Sequence, residues 1–298
     1  MPEQRSHMFP LYAKPGGHRK LTKIRLYWVM ITEMEAYYAQ CKADESKLKE
    51  LKLAIATPIE NLTYNPYQIR SAAGVLFLID RGPLVAVKQV LDILNPDLRD
   101  YTFFTQRRST TLNNQPVHPK YFCQVDEIGR MSNVKCIVVP LAPWQFTPDD
   151  IRDFVRETQA WKDGTTSVNG RKNDPPWVNA DIMWAYLHDL CLAHECHHFV
   201  ITTYSRWIFG GFSDHYAIGY TTYGLVAEGL SSPGKPSLSV LQNLVFWIQK
   251  ACRAPGSRPF PKVGDEKLYF SYEHEVACSV GDIFEAMPDI VIAVANAK

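Results

Sequence analysis

What this chain lacks narrows the possibilities before any motif does. It has no run of about eighteen apolar residues, so neither a membrane-spanning segment nor a membrane partner is expected. The opening stretch, MPEQRSHMFPLYAKPGGHRK, has no apolar core of the kind a secretory leader carries. With no signal peptide, an intracellular location is expected, cytoplasmic or nuclear. Net charge is scarce. The 298 residues sum to +1, which removes the broad basic field that advertises nucleic-acid binding but leaves room for a local basic groove. A paired cysteine framework is missing too: the seven cysteines are odd in number and scattered, which fits a reducing compartment. Internal repeats and low-complexity tracts are absent. Apolar material is present in quantity, at 46% hydrophobic and 12% aromatic, enough to bury a core and too much for global disorder.

Residues 1–22 are polar, contain Pro15-Gly16-Gly17 and read as a flexible arm. Tyr27 to Ala54 carries helix formers and predicts one or two helices, the second half charged and solvated. The apolar run AGVLFLID, Ala73 to Asp80, reads as a short buried strand ended by Arg81-Gly82-Pro83. Pro83 to Leu94 places apolar residues at 84, 87, 90, 91 and 94, a helical spacing with proline in the tolerated first turn. Arg99 to Pro119 is polar and reads as a long excursion. Tyr121 to Asp126 and Val134 to Val139 are strand-like, the second so apolar that both its faces should be covered. Thr147, followed by Pro148, Asp149 and Asp150, is a good helix start.

The organising stretch comes next. An amphipathic helix is predicted from about Asn179 to His197, with Met183, Leu187, Leu190, Cys191 and His194 on one stripe. Phe199 to Tyr204, Trp207 to Phe212 and Ala217 to Leu225 are rich in β-branched and aromatic residues and predict an antiparallel meander. Pro236 to Cys252 predicts a further helix, and the tail from Pro259 onward carries no clear signal.

Several of these segments together resemble a group of uncharacterised proteins of mushroom-forming fungi (basidiomycetes) that is similar to the PD-(D/E)XK nuclease superfamily. They are a strand leading to Pro143-Trp144, a helix ending in His194-x-Cys196-His197-His198, the phrase ITTYSRWIFGGFS, and PSLSVLQNLVFWIQKA followed by Pro255-Gly256. The resemblance covers roughly Tyr121 to Lys262. It implies an α/β fold, a mixed sheet flanked by helices, here with an N-terminal helical extension. The expected layout is a flexible arm over 1–22, then a single nuclease-like domain over 23–298 with its core at about 121–262. The resemblance also implies an aspartate on one strand and an acid-x-lysine on the next, holding magnesium and orienting water at a phosphodiester. Asp126 falls at the first position. The next strand carries Pro140-Leu141-Ala142 where the acid and lysine belong, so the catalytic positions are degenerate. A second alignment, Asp80 with Lys88, has Ala86 for the acid. The implied role is binding, to nucleic acid or to a protein partner.

An alternative lies in His194-Glu195-Cys196-His197-His198, which spells H-E-x-x-H. Two histidines a helical turn apart can hold zinc, with Glu195 as general base and Glu228 or His215 as a third ligand, giving a zinc-dependent hydrolase. That chemistry needs the helix to continue through His198. The plainer reading is a set of histidines at a helix end, where the dipole favours them. A third alternative is a remodelled pocket for small-molecule chemistry. Cys191 and Cys196 read as small core residues, Asp214-His215 as a turn, and Trp184, Trp207 and Trp247 as core. Arg107, Arg108 and Lys120 are candidates for a basic edge, and Asp126 with Glu127 for a lone metal contact.

Overall fold

A computed structural model describes residues 21, 23–27, 29–42, 72–105, 110–112, 115–156, 179–222, 225–226 and 239–253. The expectations for most of the arm, for 43–71, for the loop and tail segments, and for Arg107, Arg108 and Glu228 lie outside the described residues. The architecture is α/β, a mixed sheet covered by helices on both faces.

Along the chain the strands are β1 (Lys23–Leu26), β2 (Tyr101–Thr105), β3 (Thr110–Leu112), β4 (Gln115–Val117) and β5 (Lys120–Val125), then β6 (Met131–Pro140), β7 (His198–Thr202), β8 (Arg206–Phe212), β9 (Ile218–Thr221) and β10 (Leu225–Val226). The main sheet runs β1-β9-β8-β7-β6-β5-β2, with β10 also on β8, while β3 and β4 form a separate hairpin. Two neighbouring pairs are parallel, β6 with β7 and β1 with β9; the others are antiparallel. As its composition predicts, β6 is central, flanked by β5 and β7, with Cys136 to Val139 fully buried.

Alternation along the strands sends side chains to two apolar layers. Ile137, Val139, Phe199, Ile201, Ile208 and Phe212 face one layer, which is completed by helices α4 (Pro148–Val155) and α5 (Asn179–Ala193). Cys136, Val138, Val200, Trp207 and Phe209 face the other. It is completed by α1 (Met30–Lys42), by α2 (Ala72–Ile79) and α3 (Val85–Leu94), and by α6 (Val240–Ala251). Both α4 and α6 begin with reciprocal capping boxes, Thr147 with Asp150 and Ser239 with Gln242.

Four sequence expectations need correction. Ala73 to Asp80 is helix, not strand. A short apolar run fits either state, and here α2 continues through a π-turn at Asp80–Leu84 into α3. Val75, Ile79, Leu84, Val87 and Leu91 are buried along this rod while Phe77, Arg81 and Val85 are exposed. The wider turn accommodates Pro83 inside the helix instead of ending it. The Arg99–Pro119 excursion contains β2, whose aromatic residues pair with β5 from Tyr101↔Gln124 to Thr105↔Lys120. The N-terminal part is therefore not only helical: it supplies two sheet strands, β1 and β2. Finally, α5 is not amphipathic. Among its residues Ile182 to His188, with Leu190 and Cys191, are all buried, because sheet and α4 enclose it nearly all round.

A charged contact reaches from near the start of the described chain to its end. Lys250 of α6, its side chain 0% exposed, donates to Glu33 of α1 at 2.8 Å and to the Tyr27 hydroxyl at 2.9 Å. Removing either charge would strand the other in a dry interior, a loss of about 3–5 kcal/mol.

Two glycines let the aromatic layer close. A Cβ on Gly219 would lie 2.7 Å from the Trp184 ring, and one on Gly210 would lie 2.4 Å from the Phe199 ring and 2.7 Å from the Tyr220 carbonyl. Trp184 in turn stacks on Phe154 at 4.4 Å and meets Phe199 edge-on at 5.7 Å. Gly219→Ala is therefore expected to lower unfolding free energy by about 1–3 kcal/mol, as other overpacked cores do. Gly210→Ala should cost more, because the Tyr220 backbone cannot swing aside. Urea midpoints at an unchanged slope would show both losses.

Candidate functional site

The densest set of reactive side chains lies where α5 gives way to β7. The helix ends at Ala193, four positions before the expected His197. Its end is a Schellman turn: the Cys196 N–H bonds the Cys191 carbonyl at 2.8 Å and the Glu195 N–H bonds the Leu192 carbonyl at 3.2 Å. Glu195 takes the left-handed conformation, φ 50°, that glycine ordinarily fills there. Sequence patterning runs the helix too far because it looks for glycine at that position and finds glutamate.

From this turn the chain enters the sheet, and His198 begins β7 between Cys136 of β6 and Gly211 of β8. The predicted pairing of Phe199 to Tyr204 with Trp207 to Phe212 is present over Phe199↔Gly210 to Thr202↔Trp207. Its turn lies one residue earlier than Ser205-Arg206: Tyr204 has φ 70°, its N–H bonds the Thr202 hydroxyl at 2.9 Å, and Arg206 already belongs to β8.

The strand alternation scatters the H-E-x-x-H residues. His194 is half-buried and meets Tyr121 edge-on at 4.8 Å, in the α5-side layer. His198 is buried on the opposite face and meets Trp247 at 5.5 Å, in the α6-side layer. Glu195 is exposed on the turn. The sheet therefore stands between the two imidazoles, and the structure does not bring them together. His197 stacks on Tyr216 at 4.6 Å, and His188 packs on Tyr216 and Phe212. Neither ring nitrogen of His188 has a hydrogen-bond partner among the described residues, although the Asp189 carboxylate lies 3.5 Å away. Among the described residues no three His, Cys, Asp or Glu side chains are gathered to hold a metal ion, so a zinc cage finds no fit there.

The nuclease-like positions are also apart. Asp126 is exposed in the β5–β6 hairpin turn, where its Oδ1 accepts from the Arg130 N–H at 2.7 Å and the Ile128 N–H at 3.1 Å. Gly129, φ 78°, completes the turn. Pro140 pairs with Thr202 at the far end of β6, and Leu141 and Ala142 are buried beyond it. Asp126 and residues 140–142 thus lie at opposite ends of the β5–β6 pair. Glu127 is exposed beside Asp126.

Two residues weighed separately in the sequence are joined by the fold. Lys120, at the start of β5, pairs with Asp80 of the π-turn at 2.5 Å, an ion pair between residues 40 apart that no local pattern announces. Lys88 instead pairs with Asp92. Asp214 and His215 are exposed on the β8–β9 turn. The indoles of Trp184, Trp207 and Trp247 are core and donate to the carbonyls of Phe154, Tyr204 and Phe199.

No family model, curated protein or solved structure matches the chain.

Two outcomes follow from this junction. Glu195→Gly removes a left-handed side chain and should raise stability by about 0.5 kcal/mol, net of the backbone entropy glycine adds; a lower thermal midpoint would contradict the turn. Burial, with Lys250, His197 and Arg253 nearby, holds His198 well below its ordinary pKa of 6.5. The unfolded chain therefore takes up a proton that the folded chain refuses. The resulting stability is present above about pH 6.5 and is lost as pH falls below it. Urea midpoints from pH 7.5 to 5.5 should fall, and His198→Gln should flatten that slope.

Proposed function

We propose that this chain is a catalytically degenerate protein of the PD-(D/E)XK nuclease-like group that works inside the cell by binding a protein partner. One observation carries the reading. Asp126 spends a carboxylate oxygen on two backbone N–H groups of its own turn, and the acid-x-lysine positions are Pro140-Leu141-Ala142 at the other end of the strand pair. A mixed sheet with helices on both faces is the coarse architecture such a group would have. No helix among the described residues is long and apolar enough to cross a membrane.

A protein partner is favoured over nucleic acid because basic and acidic residues nearly balance, 32 to 31. Lys88, Lys120, Arg152 and Lys250 each sit in an ion pair with a carboxylate. With a net charge of +1, little field remains to draw in phosphates. Among the described tryptophans, Trp184, Trp207 and Trp247 are buried and offer no face for base stacking, and Trp144 alone is exposed.

The test uses the full-length protein with magnesium or manganese and both DNA and RNA. The expected result is no cleavage, with nucleic-acid binding that is weak and vanishes by physiological salt. Asp126→Asn keeps the turn acceptor and should leave stability nearly unchanged, while Asp126→Ala should cost about 1 kcal/mol. Metal-dependent cleavage that disappears in Asp126→Asn would overturn the degenerate reading. Tight binding to either nucleic acid at physiological salt would move the ligand class.

A further inference from the structure

We infer that Cys191 and Cys196 form a preorganised dithiol that closes to an intramolecular disulfide under a hydroperoxide or a small disulfide, covalently capping α5. The turn that ends the helix does the positioning. Its backbone bond from the Cys196 N–H to the Cys191 carbonyl, 2.8 Å, draws these two positions together although they are five residues apart. They occupy the two positions of such a turn where an apolar pair is usual. Both side chains are buried in the same α5-side layer, and the Cys196 thiol donates to the His198 carbonyl at 3.2 Å. Disulfides need close Cα atoms, and a backbone bond across these five residues holds the two positions near each other.

The sheet limits competing partners. Cys191 and Cys196 belong to the α5-side layer, whereas Cys136 and Cys252 belong to the opposite one. Cys123 shares the α5-side layer on β5, and Cys136 pairs with His198 close to the Cys196 thiol, so these two are the competitors to exclude.

Both sulfurs are buried, 0% and 1% exposed, and burial also pushes the Cys191 thiol well above its ordinary pKa. The pair is therefore slow to react, because the thiolate is the nucleophile. Access comes from the helix end itself. Leu192, Ala193 and Glu195 are exposed, and a terminal turn holding a strained left-handed glutamate is where local opening starts. With a hydroperoxide, one thiolate attacks the terminal peroxide oxygen. The O–O bond breaks, giving a sulfenic acid and, after protonation, an alcohol or water. The second thiol then attacks the sulfenic sulfur, the S–S bond forms and the sulfenic oxygen leaves as water. Two electrons pass from the dithiol to the peroxide. With a small disulfide, exchange through a mixed disulfide transfers the same two electrons and releases two thiols. Slow closure makes the pair responsive to sustained oxidant, not to a brief pulse.

The experiment treats the natively folded, full-length protein with hydrogen peroxide or oxidised glutathione, beside a dithiothreitol-reduced control. The expected product is lighter by the mass of two hydrogen atoms. Cleavage after Glu195 separates the two cysteines, so non-reducing peptide mapping should show the fragments still joined through Cys191 and Cys196. The oxidised form should melt several degrees above the reduced form, and Cys252→Ser should keep both results while Cys191→Ser loses both. The mapping needs only the unaltered chain, so it holds even where a variant fails to fold. A bridge to Cys123 or Cys136, or a disulfide that forms only in denaturant while the native thiols stay free, would overturn the inference.

Discussion

A single backbone hydrogen bond, from the Cys196 N–H to the Cys191 carbonyl, sets what the most reactive stretch of this protein becomes. Without it, α5 would run on and its histidines would line up on one helical face. With it, the helix stops at Ala193, Glu195 turns left-handed, and two residues later the chain is a strand at the centre of the sheet. The period of side-chain direction changes from helical to alternating at that point. His194 and His198 then belong to different layers, and chemistry that would need both on one metal has no common space.

The same turn delivers β7 into parallel pairing with β6, and this pair is the seam on which both layers are assembled. On the α5 side, rings from α4, α5, β7 and β8 interlock around Trp184, and the glycines of β8 and β9 give the rings room. On the α6 side, Trp247 spans Tyr27, His198 and Phe209. The indole N–H groups all end on backbone carbonyls, so these large rings are buried without a stranded donor.

Much of the fold was legible where the pattern is local. The β7–β8 hairpin, the central burial of β6, the proline-led start of α4 and the periodic α6 all follow from composition over a few residues. Three features were not legible, each for a physical reason. The run at Ala72–Ile79 is apolar enough for strand or helix, and only its continuation through the π-turn decides. The strand β2 hides among polar residues and is stabilised by its partner β5, a tertiary effect. The end of α5 depends on a glutamate in a conformation that patterning reserves for glycine. At the candidate site, the residue types were visible but their separation was not. It arises from which face of the sheet each side chain meets. The Asp80–Lys120 pair was invisible for the opposite reason: its members are far apart in sequence and adjacent only once the rod lies against the sheet.

The strand β1 pairs with β9, so Lys23 sits beside Ile218, and Glu33 likewise finds Lys250 only near the other end of the described chain. Contacts of this span carry a high loop-closure cost before they return any stabilisation, and they slow folding. During synthesis the β1–α1 segment leaves the ribosome long before its partners exist. It must wait with Met30, Met34 and Tyr37 uncovered, all of them buried in the finished fold. Docking of β1 and α1 onto β9 and α6 must follow the synthesis of those later elements. Until α6 emerges, the nascent protein presents an apolar face that a chaperone would bind.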